Sequence, residues 1–323
     1  MVTSPLWLPL RTSSRRVNKN PNTFKVTMLG TASAMPVPDR KPSAQALSVH
    51  GRYFLVDCGE GAQRSMVRFG VPLQRIDTVF ISHVHGDHVY GLDGFLSTLA
   101  MGGRLAPLDI YGPRNLGPML KFFLSYNEWI GFELRFHPLE MKAPEVILET
   151  KSLEVLALPL KHGVETYGFI FREKEPQWNV DKDAIERYGL TLTEIGTLKR
   201  GEDVVREDGS RILNADVAYK PYVPRSYAYM SDTAVFPEEA GWLKGVDVLY
   251  HETTFLAEYG AQAEKRNHST TLQAAQVALD AGVKKLIIAH YSSRSVEASL
   301  YEAECRSVFP ETFAASDGDV FEI

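Results

Sequence analysis

Cysteine is nearly missing from this chain: Cys58 and Cys305 are the only two in 323 residues, and they are far apart in sequence. That count excludes a disulfide framework and a cysteine-ligated zinc site, and it suits a reducing cytoplasm. Long apolar runs are missing too, and none approaches the roughly 18 residues that a membrane-spanning helix needs. Nor does one sign of charge dominate: 35 basic residues stand against 40 acidic ones, a formal net charge of -5. Any nucleic-acid surface must therefore be a local patch rather than a property of the whole chain. No internal repeat or low-complexity tract is visible. With 44% hydrophobic and 23% charged residues, a large buried core is available, in one large domain or two.

The first 22 residues, MVTSPLWLPLRTSSRRVNKNPN, carry basic residues but no acidic ones, with scattered serines and prolines. Organellar transit peptides have that composition. No amphipathic helical period is visible, however, so a disordered leader is expected over 1–22 and the folded domain over 23–323. From Phe24 onward short apolar runs alternate with amphipathic stretches. FKVTMLG reads as a strand, followed by a loop from Gly30 to Ser43. QALSVHGRYFLVDCG reads as a hairpin turning at His50-Gly51, which makes His50 a solvated turn residue. Helices are expected over 61–70 and 113–126, and a strand over 77–82.

Five apolar runs each end on a residue capable of chemistry. IDTVFIS runs into His83, LEVLALPLK into His162, SYAYMS into Asp232, VDVLY into His251-Glu252, and KKLIIA into His290. Runs of this length are the pattern of buried strands. Laid side by side, such strands would gather these groups along one edge of a sheet, where layered α/β enzymes commonly build their sites. Residues 172–220 behave differently, with 9 Lys plus Arg against 11 Asp plus Glu. Apolar periodicity is weak there apart from a possible helix in DKDAIERYG. Too polar to line a core, the segment is expected to be an excursion from the sheet.

The densest cluster is HVHGDH, residues 83–88. One tight turn directs His83 and His85 at one ion, and Asp87 and His88 at a second. Burying so many ionisable groups without a cation would cost several kcal/mol. Imidazole and carboxylate donors suit Zn²⁺, Mn²⁺ or Fe²⁺. His162 and His290 can complete one site each, and Asp232 has an oxygen for each ion. Two neighbouring cations lower the pKa of water towards about 7 and neutralise charge growing on a phosphoryl or carbonyl oxygen. Asp87 can orient the attacking oxygen as well as bind metal. In NHSTTLQAAQVALDAG, Thr270 and Gln273 form a capping box. His268 then sits just before a helix N-terminus, placed to give a proton to a leaving oxygen, with Glu252 holding the imidazole. His137, by contrast, reads as a hydrogen-bonded residue with no role.

In these residues the sequence resembles the metallo-β-lactamase superfamily, whose H-x-H-x-D-H motif stands here as HVHGDH. MLGTASAMP, DCGEGAQ, SHVHGDHVYGLDGFLSTLAMGGR, LKHGVETYGF, HETTF, HSTT and AHYSSR, in that order, are similar to the ribonuclease Z family, endonucleases that remove 3′ trailers from precursor tRNA. The resemblance implies an α/β fold, an αββα sandwich of two mixed sheets with helices on the outer faces and an inserted arm. It also implies two zinc ions per subunit and a homodimer whose arms grip tRNA for the partner's active site. By motif, the ligand positions are His83, His85, Asp87, His88, His162, Asp232 and His290, the proton acceptor is Asp87, and the HST histidine is His268. The excursion at 172–220 falls where the arm is inserted, and Arg225, Arg294, Ser269, Lys199 and Arg200 are the candidate substrate contacts. Three features depart from the family. The arm has no Gly-Pro tip and no net positive charge, Tyr222 and Val223 stand where lysines are expected, and SDT replaces GDT. A hydrolase of small phosphodiesters, sulfates or esters is the competing function; a non-catalytic RNA-binding module would have no use for the ligand set or for His268.

Overall fold

The structure is a computed structural model and describes residues 23–127, 129–294 and 297–323; the expected leader at 1–22 lies outside the described residues. The chain opens with β1 (Phe24–Gly30), β2 (Ala44–Val49) and β3 (Arg52–Val56), the last two joined at His50-Gly51 as the sequence predicts. There follow α1 (Ala62–Phe69), β4 (Ile76–Phe80), α2 (Gly86–Val89), α3 (Leu92–Met101), β5 (Leu108–Pro113), α4 (Leu116–Tyr126) and β6 (Leu134–Leu139). Next come β7 (Glu145–Glu149), β8 (Leu153–Pro159) and β9 (Tyr167–Glu173). The polar excursion holds β10 (Asn179–Val180), α5 (Lys182–Tyr188), α6 (Leu192–Lys199), β11 (Val204–Val205), β12 (Arg211–Ile212), α7 (Asn214–Val217) and β13 (Ala218–Tyr219). The chain then returns through β14 (Ser226–Met230), α8 (Glu239–Trp242), β15 (Val248–Glu252), α9 (Gly260–Arg266), α10 (Thr271–Ala281) and β16 (Lys285–Ala289). It closes with α11 (Ala298–Arg306), β17 (Thr312–Ala314) and β18 (Val320–Glu322).

Two seven-stranded sheets result, ordered β18-β1-β2-β3-β4-β5-β6 and β17-β16-β15-β14-β9-β8-β7. Both are mixed: β3 to β6 run parallel in the first, and β14 to β17 in the second. Side chains alternate across each strand, so Phe54, Val56 and Phe80 point to the inner face while Leu55, Val79 and Ile81 point outward. Phe80 meets Phe169 and Phe171 of the opposite sheet with ring centroids 5.3 Å apart in each pair. The outward set packs with Leu92, Phe95 and Leu99 of α3 and Leu116, Leu120 and Phe123 of α4. On the other side α10 and α11 cover β15, β16 and β17. The architecture is thus αββα. Among the described residues no helix is long and apolar enough to cross a membrane.

Two expectations change. The five strands ending in chemistry do not lie side by side in one sheet. β4, which leads to His83, belongs to the first sheet, and the other four belong to the second, with β9 between β8 and β14. The two sheets face each other, so their carboxyl edges still meet. Apolar periodicity also missed α6, which is capped by a box in which Thr191 and Glu194 exchange bonds. Ala184, Leu190, Leu198, Val204, Ile212 and Val217 build a small separate core in this segment. Six apolar residues scattered at wide spacing leave no periodic trace.

Candidate metal centre

The site begins with the backbone that carries it. Gly91 N–H donates to the Cys58 carbonyl at 2.8 Å, and Cys58 N–H to the His88 carbonyl at 2.7 Å. This pins the HVHGDH turn against the loop after β3. A Cβ on Gly91 would stand 2.0 Å from the Gly59 oxygen, so no side chain fits. Asp57 and His290 hold positive φ, 54° and 67°. That conformation costs a non-glycine residue roughly 1–2 kcal/mol and tends to be kept where function needs it.

The structure brings the seven expected ligands into two groups that share Asp232: His83, His85, His162 and Asp232, and Asp87, His88, Asp232 and His290. In the first, His83 Nε2 lies 3.0 Å from His85 Nδ1, and His162 Nε2 lies 3.3 Å from that same nitrogen. Asp232 Oδ2 stands 3.7 Å from His83 Nε2 and 3.9 Å from His162 Nε2. In the second, His88 Nε2 is 3.3 Å from both His290 Nε2 and Asp232 Oδ1. Asp87 Oδ2 stands 3.6 Å from His88 Nε2 and 3.3 Å from His290 Nε2. A tetrahedral ion with metal–nitrogen bonds of about 2.0–2.1 Å sets its ligands about 3.3 Å apart.

The outer hydrogen bonds fix which nitrogen faces inward. His88 Nδ1–H donates to Asp57 at 2.7 Å, His162 Nδ1–H to the Asn267 carbonyl at 2.9 Å, and His290 Nδ1–H to Thr254 Oγ1 at 2.8 Å. His83 Nδ1 lies 3.0 Å from Ser82 Oγ, which itself donates to Asp57. Such anchoring is the usual support of a metal-binding histidine. It crowds inward nitrogens and carboxylate oxygens together with little but a proton on His88 to separate them. Asp232 Oδ1, fully buried, has no hydrogen bond. A cation in each group resolves both defects, so the donor set fits two divalent ions.

Charges follow the same logic. Burial would push Asp232 and Asp87 up, but the neighbouring His290 and His88 outweigh it, and both carboxyls are held well below the usual range. Burial would lower His88, yet Asp232, Asp87 and Asp57 hold it well above its usual value. His83 goes the other way, pushed down by burial and by the adjacent His88. Without ions, a proton on His88 stands in for metal charge.

Beside the second group, His268 Nδ1–H donates to Glu252 Oε1 at 2.9 Å. Glu252 is buried and accepts from Thr233 N–H, Ser269 N–H, Thr254 N–H and Thr254 Oγ as well. Glu252, His268 and His290 also come within ligating distance of one another. With both carboxylate oxygens committed to donors, that trio is a hydrogen-bonded assembly. Burial opposes charge on His268, but Glu252 and then Asp232 prevail and raise its pKa to about 9. The expected capping box of Thr270 and Gln273 is present.

His85, Asp87, His162, Asp232, His268 and His290 line a cleft of about 670 Å³, with Met35, Phe255, Arg266 and Arg294 on its walls. Arg294 is therefore where a substrate contact is expected. Ser269 and Arg225 are not. Ser269 is fully buried, its hydroxyl bonded to the Thr233 carbonyl. Arg225 sits before β14, at the opposite end from Asp232, with two bonds to Glu173 and one to the Ile323 carbonyl. Arg200 pairs with Glu202, and Lys199 lines a groove on the excursion, remote from the cleft in sequence and lining. His251 is locked between Glu239 and the Glu252 carbonyl. His137 is hydrogen-bonded as expected, to Asp109 at 2.7 Å on the adjacent strand. His50 is not a solvated turn residue but packs on Tyr222, 2.9 Å from Glu173.

Sequence reading missed Asp57 and Thr254. Asp57 accepts from Ser82 N–H, Ser82 Oγ, His88 and Tyr229 Oη. Its signal was the carboxylate ending β3 directly before Cys58-Gly59. Thr254 Oγ donates to Glu252 and accepts from His290, linking the His268 assembly to a metal ligand.

Comparison with known proteins gives this arrangement its kin. Ribonuclease Z of Cytophaga hutchinsonii is 40% identical over 302 residues, 93% of this chain and 96% of that protein. Ribonuclease Z of Bacteroides fragilis is 36% identical over 298 residues, 91% of this chain and 97% of that protein. The chain belongs to the ribonuclease Z family. Human tRNase Z, short form, has the same fold, with a TM-score of 0.67 and 24% identity over 92% of this chain and 98% of that one. A family model described as "Anti-Pycsar protein Apyc1" matches residues 24–174, which is less than half of the chain. Both ribonuclease Z relatives align along almost the whole chain, so the excursion falls within the family's length.

Proposed function

We propose that this protein is a zinc-dependent endoribonuclease that removes the 3′ trailer from precursor tRNA, leaving a 3′-hydroxyl on the tRNA. One observation carries the reading: five imidazoles and two carboxylates converge with ligating atoms inward and outer nitrogens anchored, beside an acid–base assembly, in a chain of the ribonuclease Z family. His83, His85, His162 and Asp232 would hold one ion, and Asp87, His88, Asp232 and His290 the other. Zn²⁺ suits this nitrogen and oxygen set; Mn²⁺ and Fe²⁺ also accept it. Two such ions supply Lewis acidity, lowering the pKa of water towards about 7 and offsetting charge on a phosphoryl oxygen.

The chain's own residues do the rest. Asp87, held ionised, orients the attacking oxygen and accepts its proton. His268, protonated at neutral pH, gives a proton to the departing 3′ oxygen of the tRNA. Glu252 keeps its imidazole charged and aimed. Arg294 at the cleft wall contacts a phosphate beside the scissile bond. A homodimer fits the exposed apolar surface of α3 and α4: Met101, Leu105, Phe122, Tyr126 and Trp129 are each more than half exposed. Tyr126 Oη bonds Asp93 across the two helices, joining them into one face, and contiguous exposed apolar faces mark interaction sites. Its two buried thiols accord with a cytoplasmic location.

Single-turnover cleavage of a 3′-extended precursor tRNA tests this, comparing the protein with Asp87→Ala and including a small phosphodiester. Cutting at the base of the trailer, lost in Asp87→Ala, supports the reading. Turnover of the small diester with tRNA left intact would replace it with a small-molecule phosphodiesterase.

A further inference from the structure

If the substrate is RNA, phosphate contacts must supply much of its affinity, and the arm is poorly equipped to make them. Of the nine cations in 172–220, six are ion-paired: Arg172 to Glu154, Lys174 to Glu149, Arg200 to Glu202, Arg206 to Glu194, Arg211 to Asp203 and Lys220 to Glu175. The segment is acidic in sum.

Three cations of the arm, Lys182, Arg187 and Lys199, have no ion pair among the described residues, but a denser unpaired group lies on the body. A concavity of about 490 Å³ is lined by Lys41, Arg64 and Arg68 together with Pro38, Asp39, Phe69 and Asp317. Among the described residues none of these three cations has an ion pair; Arg68 only overlies the Phe69 ring, 5.5 Å from its centroid. Arg64 and Arg68 are one helical turn apart on the exposed side of α1, whose other side buries Ala62, Ser65 and Met66. Asp317 makes no ion pair with them; its oxygens accept from Thr31 Oγ1 at 2.8 Å and Lys41 N–H at 2.7 Å and so fix the loop, and against Asp39 and Asp317 the three cations still leave the lining net positive. That loop joins the two hollows: Ser33, Ala34 and Met35 line the metal cleft, and Pro38, Asp39 and Lys41 line the basic one. Met35 and Pro38 are three residues apart, at most about 11 Å along the chain, a span of a few nucleotides.

We infer that Lys41, Arg64 and Arg68 hold backbone phosphates of the RNA next to the scissile bond, so that the body rather than the arm provides the ionic part of substrate affinity. The arm's contribution is then made by shape and neutral contacts, which respond little to salt. This rests on the RNA reading above.

The test follows the protein concentration giving half-maximal single-turnover cleavage of the precursor tRNA as salt is raised. Three lost contacts at about 0.7 each lower the slope of log affinity against log salt by about 2. Lys41→Gln/Arg64→Gln/Arg68→Gln should show that drop and bind at least tenfold more weakly at low salt. Arg64→Lys/Arg68→Lys should keep the wild-type slope, which separates lost charge from a disturbed helix. Lys182→Gln/Lys199→Gln in the arm should also keep it. A wild-type slope in the triple Gln protein, or an equal fall in the arm variant, overturns the inference while the RNA reading stands. If the wild type cleaves only a small diester, the reading of the substrate falls, and this inference with it.

Discussion

Replacing Glu252 by Gln is the most informative single change in the cleft, because it removes charge while keeping most of the shape. Glu252 is the main reason that His268 stays protonated up to about pH 9, since burial alone would lower the value. Without that charge the imidazole should fall to its ordinary pKa of about 6.5 or below. A general acid must be protonated to act, so the rate declines as pH rises through its pKa. In the wild type this decline belongs near pH 9, or lower once two dications stand beside the ring; in Glu252→Gln it moves down by about two and a half units. Near pH 8 the protonated fraction of His268 would drop from about nine-tenths to about one-thirtieth, a loss of about 30-fold in single-turnover rate. At pH 6 most of that loss should vanish. The assay is the pH profile of single-turnover cleavage at saturating protein, with the metal content of both proteins measured alongside. A variant that keeps its metals and the wild-type alkaline limb would refute the assignment of His268 as the acid.

Three further outcomes are expected. Asp57→Asn leaves His88 without its anchoring carboxylate, and metal affinity should fall about 10–100-fold in competition with a chelator; unchanged affinity would show that the ring is positioned by packing alone. Metal uptake by the metal-free protein should release protons, because His88 is held protonated by Asp232, Asp87 and Asp57 and ligands bind deprotonated. Apparent affinity then rises with pH, and calorimetry in buffers of different ionisation heat reads the release directly; no release near neutral pH sinks the point. Phe80→Ala opens the interior where Tyr111, Phe169 and Phe171 meet it and should cost about 3–5 kcal/mol by denaturant unfolding, a loss under about 1 kcal/mol contradicting the assigned packing.

The sequence was most informative where chemistry forbids coincidence. HVHGDH, and the runs ending at His162, Asp232 and His290, disclosed the ligands because ionisable groups at the ends of apolar strands have few other uses. It was silent about which sheet each strand joins: IDTVFIS and VDVLY look alike, yet one lies in each layer, and only β-pairing partners separate them. Residues that act through others were also hidden. Thr254 and Asp57 look like ordinary polar residues until folding brings a histidine against each. Arg225 misled for the converse reason, since a cation near the bridging carboxylate in sequence lies a strand's length away in space, matched to Glu173. In the arm, charge counts gave the net sign but not the pairing, and the pairing decides what remains for a ligand.

That the ligands come from both sheets has a consequence for how the centre is held. Tyr229 of β14 donates to Asp57 at 2.5 Å, Ser231 Oγ to Ser82 Oγ at 2.9 Å, and Tyr167 N–H to the Ser82 carbonyl at 3.0 Å. All three cross from the second sheet to the first, directly beneath the ligand rings. A slip of the sheets by about 1 Å would therefore disturb the supports and the inward nitrogens together, and catalytic geometry tolerates little more than half of that. The same bonds work in the other direction. Because the outer nitrogens are already anchored by the fold, an arriving cation has little left to order, and its binding energy goes into the site rather than into assembling it. The crowding in HVHGDH is thus only half of a device: the turn supplies four donors, and the opposite sheet supplies the three that complete both ions.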